Sequence, residues 1–122
     1  MASEEDIARW FDASRAFFED MEKAAERLLA LAGTENRTAF ELAATDLEAV
    51  LVRGQRLPPV PDVEAQRHFA AGLARYKDGA EALARTNDRA EVARAIRAIN
   101  ASNGEFVRMY ESLDRAQGWG SA

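Results

Sequence analysis

Apolar residues recur along most of the chain at intervals of three and four, the repeat that gathers them on one face of an α-helix. In the first stretch Ile7, Trp10, Phe17, Met21, Ala24, Leu28 and Leu31 keep that spacing without a slip, and Ser14 fills the remaining seam position. Phe11, Phe18 and Ala25 widen the stripe on one side. Ser3 stands just before Glu4, Glu5 and Asp6, acids that suit the electropositive first turn. The pattern predicts a helix over about 4–32, with Ser3 as N-cap and Gly33 just past its end.

A second helix is expected over about 35–53, with Thr34 as its cap and Phe40, Ala43, Ala44, Leu47, Val50 and Leu51 inward. The run Leu57-Pro58-Pro59-Val60-Pro61 stops it and stiffens the connection. A third helix follows over about 62–85, with Phe69, Leu73, Tyr76, Ala80 and Leu83 inward. Beside that seam Ala65, Gly72 and Gly79 recur every seven residues, which predicts a groove where a neighbouring helix comes close. Asp88 and Glu91 form a capping pattern for a fourth helix over about 88–117. Its expected seam is Val92, Ile96, Ile99, Asn103, Phe106, Tyr110 and Leu113. Ser102-Asn103-Gly104 offers a place for a kink.

Short connections make sequential helices antiparallel neighbours. The expected fold is therefore all-α: one domain over 1–122, an antiparallel up-down-up-down four-helix bundle with a flexible tail at 118–122. The rival is a three-helix arrangement with the last helix broken in two. Trp10, Phe11, Phe17, Phe18, Phe69, Phe106 and Tyr110 all fall in the half that holds both termini and the proline run. Alanines fill the other half, so the core should taper. The Leu57–Val60 loop should fold over the aromatic end, and Trp119 in the tail should fold back near Trp10.

Composition narrows the function. The 122 residues are enough for one core without covalent staples. With no cysteine there is no disulfide, thiolate zinc site, iron–sulfur cluster or thiol nucleophile. A single histidine rules out a multi-histidine metal site within one chain. The 16 basic residues against 21 acidic ones, a net charge of −5, speak against nucleic acid and against an anionic membrane surface as partner. The first residues are acidic and lack an apolar run, so no secretory leader is expected, and no stretch is long and apolar enough to span a bilayer. These features predict a cytoplasmic protein.

Chemistry-bearing motifs are scarce. A di-iron bundle needs inward carboxylates and Glu-x-x-His pairs, and the chain has none. Glu64 and His68 are four apart on the third helix and read as a solvated surface pair outside the Phe69–Tyr76 seam. Phosphate loops, dinucleotide glycine patterns and a Ser-His-Asp set are missing. No enzyme, cofactor or metal is expected.

Two features remain. Ser14 and Asn103 are polar residues on seams, about one turn apart across an antiparallel pair. Asn103 either fixes the bundle register, with Ser14, Tyr76 or water as partner, or joins Ser14, Phe17, Tyr76, Phe106 and Tyr110 in lining a ligand pocket at the aromatic end. The second helix also carries an outer apolar stripe, Leu42, Thr45, Ala49 and Val52, rimmed by Glu41, Asp46, Glu48 and Arg53. The leading expectation is thus a non-enzymatic interaction module that self-associates or docks on a protein partner through this stripe. The alternative is a carrier or sensor of a small apolar ligand.

Overall fold

Each helix begins where a side chain satisfies a free backbone amide. The structure, a computed structural model, describes residues 3–31, 36–85 and 88–117. Ser3 Oγ accepts from the Asp6 amide at 3.1 Å and opens α1, Glu4–Leu31. Asn36 Oδ1 accepts from Ala39 at 3.1 Å and opens α2, Arg37–Gln55. Asp62 Oδ2 accepts from Ala65 at 2.9 Å and opens α3, Val63–Arg85. Asp88 Oδ1 accepts from Ala90 at 3.0 Å and opens α4, Arg89–Gln117. The expected caps Ser3 and Asp88 are those observed. The second helix starts later than expected, because Asn36 supplies its cap; Thr34 and Gly33 lie outside the described residues.

The end of α2 also moves, to Gln55. Gly54 acts there as a packing residue inside the helix. A β-carbon at Gly54 would lie 2.5 Å from the Phe17 ring, so glycine makes room for that ring between α1 and α2. The fourth helix is continuous through Ser102-Asn103-Gly104, which removes the broken-helix arrangement. Gly104 faces open space, so it weakens the helix by propensity alone.

The four helices form a four-helix bundle in which α3 and α4 pack most intimately, followed by α1 with α2 and α2 with α3. The expected groove of small residues on α3 receives α4. A β-carbon at Gly72 would lie 2.8 Å from the Phe106 ring, and one at Gly79 would lie 2.7 Å from Ile99 Cγ1. The backbones of α1 and α4 hardly approach each other. Aromatic rings fill the space between them at one end: Phe11 stacks on Tyr110 at 5.7 Å, and Phe18 meets Phe106 edge-on at 5.9 Å.

All seven aromatic residues expected at that end belong to one chain of ring contacts, with Phe69 touching Trp10, Phe17, Phe18 and Phe106. Each such ring pair adds about 0.5–1.5 kcal/mol beyond its buried area. Ala25, Ala43, Ala44, Ala80 and Ala95 are buried in the narrower half. The proline loop folds over the wide end as the sequence predicts. Val60 is buried, and Trp10 Nε1 donates to the Pro58 carbonyl at 2.8 Å. Among the described residues, no helix is long and apolar enough to cross a membrane.

The register of α4 departs from expectation. Its buried line is Ala95, Ile99, Ser102, Phe106, Met109 and Leu113. Ile96, Asn103 and Tyr110 stand one residue further round, toward α1. The cause is the close approach of α3, which draws the core-facing side of α4 toward Gly72 and Gly79. On α1 the expected line holds at Ile7, Trp10, Ser14, Phe17, Met21 and Leu28, with one shift, where Ala25 is buried and Ala24 only half-buried.

Candidate functional site

The outer stripe of α2 is exposed as the spacing implies. Phe40, Ala43, Ala44, Leu47 and Leu51 turn into the core. That leaves Leu42 58% exposed and Val52 37% exposed, with Thr45 and Ala49 exposed between them. The Thr45 hydroxyl donates to the Glu41 carbonyl at 3.0 Å, so its polar demand is met within the helix. Three of the four flanking charges are engaged in ion pairs, and Glu48 has none among the described residues. Glu41 pairs with Arg37 at 3.0 Å, Asp46 with Arg27 at 3.2 Å and Arg53 with Asp20 at 2.8 Å. The last two tie α2 to α1. As exposed pairs they contribute at most about 1 kcal/mol each.

This stripe is not the only exposed apolar surface. Val63 is 80% exposed, Val107 53%, Tyr110 41% and Leu29 39%. The outer faces of the other helices are therefore less uniformly polar than their composition suggests.

The expected ligand-contact residues do not converge on one cavity. Ser14 is fully buried, and its hydroxyl donates to the carbonyl of Phe11 on its own helix at 3.3 Å. Phe17 and Phe106 are buried among the other rings. Asn103 is exposed, which corrects its expected place on the seam; Ser102 takes that place and donates to the Ile99 carbonyl. Neither a register contact nor a cavity contact from Asn103 survives this rotation. Tyr110 is half out of the core, with its ring on Phe11. Tyr76 is buried, and desolvation pushes its phenol up to about 12. Among the described residues its hydroxyl has no hydrogen-bond partner.

At the same end, a cleft of about 230 Å³ opens between α1 and the loop, lined by Asp6, Arg9, Trp10, Ala13 and the three prolines. A second cleft, about 430 Å³, lies between α3 and α4 at the alanine end, with Gly79, Ala82, Ala95 and Ala98 in its lining. Neither contains the expected pocket residues. Trp119 and the tail lie outside the described residues.

A polar cluster on the outer flank of the α3–α4 seam escaped the sequence reading. His68 faces α4. Its Nδ1 donates to Glu105 Oε2 at 2.8 Å, while its Nε2 is 4.0 Å from Glu64. Arg108 reaches Glu105 Oε1 at 3.0 Å and Arg75 approaches to 3.7 Å, although the Glu105 side chain is only 7% exposed. The hydrogen bond from His68, opposed by desolvation and helped by both guanidiniums, holds the Glu105 carboxyl below the usual carboxylate range. Further along, Ser112 Oγ donates to Asp62 Oδ2 at 2.7 Å, so the α3 cap also anchors α4. The cue was available: Glu105 and Ser112 are seven residues apart, on one line of a helix. Among the described residues, no group of three or more acidic or histidine side chains is arranged to hold a metal ion.

Comparison of the chain with protein-family models, with curated proteins and with solved structures returns no match.

Proposed function

We propose that the protein is a non-enzymatic interaction module that buries the outer face of α2 against another protein surface, first of all a second copy of itself. The observation that carries this reading is the exposure of Leu42 and Val52 at the two ends of one helical line, with the small residues Thr45 and Ala49 between them. A large-small-small-large line reads alike in both chain directions. Two copies related by a two-fold axis, helices antiparallel, bring bulky ends to the same heights and let the backbones approach at the small residues. Ion pairs within each chain already neutralise Glu41, Asp46 and Arg53, so Glu48 is the one rim charge without an ion pair among the described residues.

The double change Leu42→Glu with Val52→Glu tests this reading. Both side chains are exposed, so the fold is expected to persist in far-UV circular dichroism. The wild-type protein is expected to sediment as a dimer and the variant as a monomer. A wild-type protein that stays monomeric at high concentration, and recovers no partner from cells, overturns the proposal.

A second reading, carriage of a small apolar ligand, draws on the Tyr76 hydroxyl, which is buried without a described partner. A thermal-shift screen of small phenol-binding amphiphiles, run on wild type and Tyr76→Phe, checks it: a stabilisation present in the first and lost in the second supports a ligand at that hydroxyl.

A further inference from the structure

The first and last helices carry more apolar surface than the core consumes. Their backbones hardly approach each other, so the seam between them is the open side of the bundle. Rings bridge its deeper part, where Phe11 and Phe18 meet Tyr110 and Phe106. On its outer side Tyr110 and Val107 of α4 and Leu29 of α1 remain exposed, and Ile96 is only half-buried. Of these, Ile96 and Tyr110 are residues that the spacing along α4 placed in its seam.

Acidic residues flank the strip on both helices. Glu22 follows Phe18 by four residues and Glu26 precedes Leu29 by three. Glu111 follows Val107 by four and Asp114 follows Tyr110 by four. Spacings of three and four put each acid beside its apolar neighbour. All four are exposed, and none forms an ion pair with a described residue. Elsewhere Asp12, Asp20, Glu41, Asp46, Glu64 and Glu81 each have an Arg or Lys partner, while Glu4, Glu19, Glu48 and Asp78 form no ion pair with a described residue either; what sets the four seam acids apart is that they border exposed apolar side chains.

We infer that the α1–α4 seam docks a basic amphipathic helix of another protein. An apolar helix face fits an apolar trough between two helices, and Lys or Arg on its borders meets four acids that have no partner of their own. The net charge of −5 adds attraction at longer range. This surface is separate from the α2 stripe, where Glu41 and Asp46 already hold arginines, and it calls for a different partner.

The test uses the whole protein and three labelled peptides: an amphipathic helix with a Leu face and Lys borders, the same peptide with Glu borders, and a Lys peptide of scrambled order. Fluorescence anisotropy is expected to show the Lys peptide binding at least about tenfold more tightly than the other two, with affinity falling as salt rises. Val107→Asp is expected to remove this binding with the helical circular dichroism unchanged. Neutralising Glu22, Glu26, Glu111 and Asp114 together to their amides is expected to weaken it about tenfold. The Leu42→Glu, Val52→Glu variant is expected to bind the Lys peptide as wild type does, which separates this site from the α2 stripe. Equal binding of Lys and Glu peptides, no binding of either, or wild-type affinity in Val107→Asp overturns the inference. So does a wild-type dimer that Val107→Asp converts to a monomer, since the seam then belongs to a second copy.

Discussion

Gly79 of α3 lies against Ile99 of α4 so closely that a β-carbon on the glycine would stand 2.7 Å from Ile99 Cγ1 and 3.0 Å from the Ala95 carbonyl oxygen. The second neighbour is backbone and cannot turn aside. Helix propensity favours alanine over glycine by about 1 kcal/mol, yet overpacking a tight contact costs about 1–3 kcal/mol. Gly79→Ala is therefore expected to lower stability, by about 1 kcal/mol net. Gly104→Ala, with nothing within 4 Å of its β-carbon, is expected to raise stability by up to about 1 kcal/mol. Urea unfolding of the two variants checks the opposite signs.

Glu105 gives the α3–α4 seam a dependence on acid. Its carboxyl is held below the usual range by His68, Arg108 and Arg75. A folded value lower than the unfolded one means stability that is present above the unfolded value, about 4.3, and lost as pH falls through the folded one. Glu105→Gln is expected to cost about 2 kcal/mol at neutral pH, as for a hydrogen-bonded charged group. The difference from wild type should shrink as pH drops below about 4. Denaturant midpoints of the two proteins across that range measure it, and a pH-independent difference would assign the loss to packing alone.

Neighbouring residues on α4 distinguish the observed register from the one the spacing implied. Asn103 is exposed, so Asn103→Leu is expected to leave stability within about 0.5 kcal/mol. Ser102 is fully buried beside the tight α3 contact, so Ser102→Leu is expected to cost about 1–3 kcal/mol through overpacking. Thermal unfolding of both variants checks this; the reverse order would restore Asn103 to the core.

Local pattern alone determined much of this protein. A spacing of three and four, with Ser3 and Asp88 ahead of it and the proline run across its middle, suffices to define four helices, because capping and periodicity depend only on near neighbours. The heptad of Ala65, Gly72 and Gly79 announced a close helix neighbour, since a missing side chain leaves a hollow whatever fills it. The crowding of aromatics at one end was equally legible, because helix height follows directly from residue number. Leu42 and Val52 were legible as surface because they lie opposite the inward face of their own helix.

The inward faces of α1, α2 and α3 followed from the spacing, but the rotation of α4 about its axis was decided only by tertiary packing. On α4 the alternatives 95 or 96, 102 or 103, and 109 or 110 differ by about 100° of helix turn, and both lines are apolar enough to serve. The choice fell to Ala95, Ser102 and Met109 because Gly72 and Gly79 let α3 come close on that side. The same rotation carried Asn103 to solvent, left Tyr110 and Val107 exposed beside α1, and brought Glu105 onto His68. Periodicity specifies which residues share a face; which face meets which neighbour follows from the fit of side chains on separate helices, and that is a property of the assembled bundle.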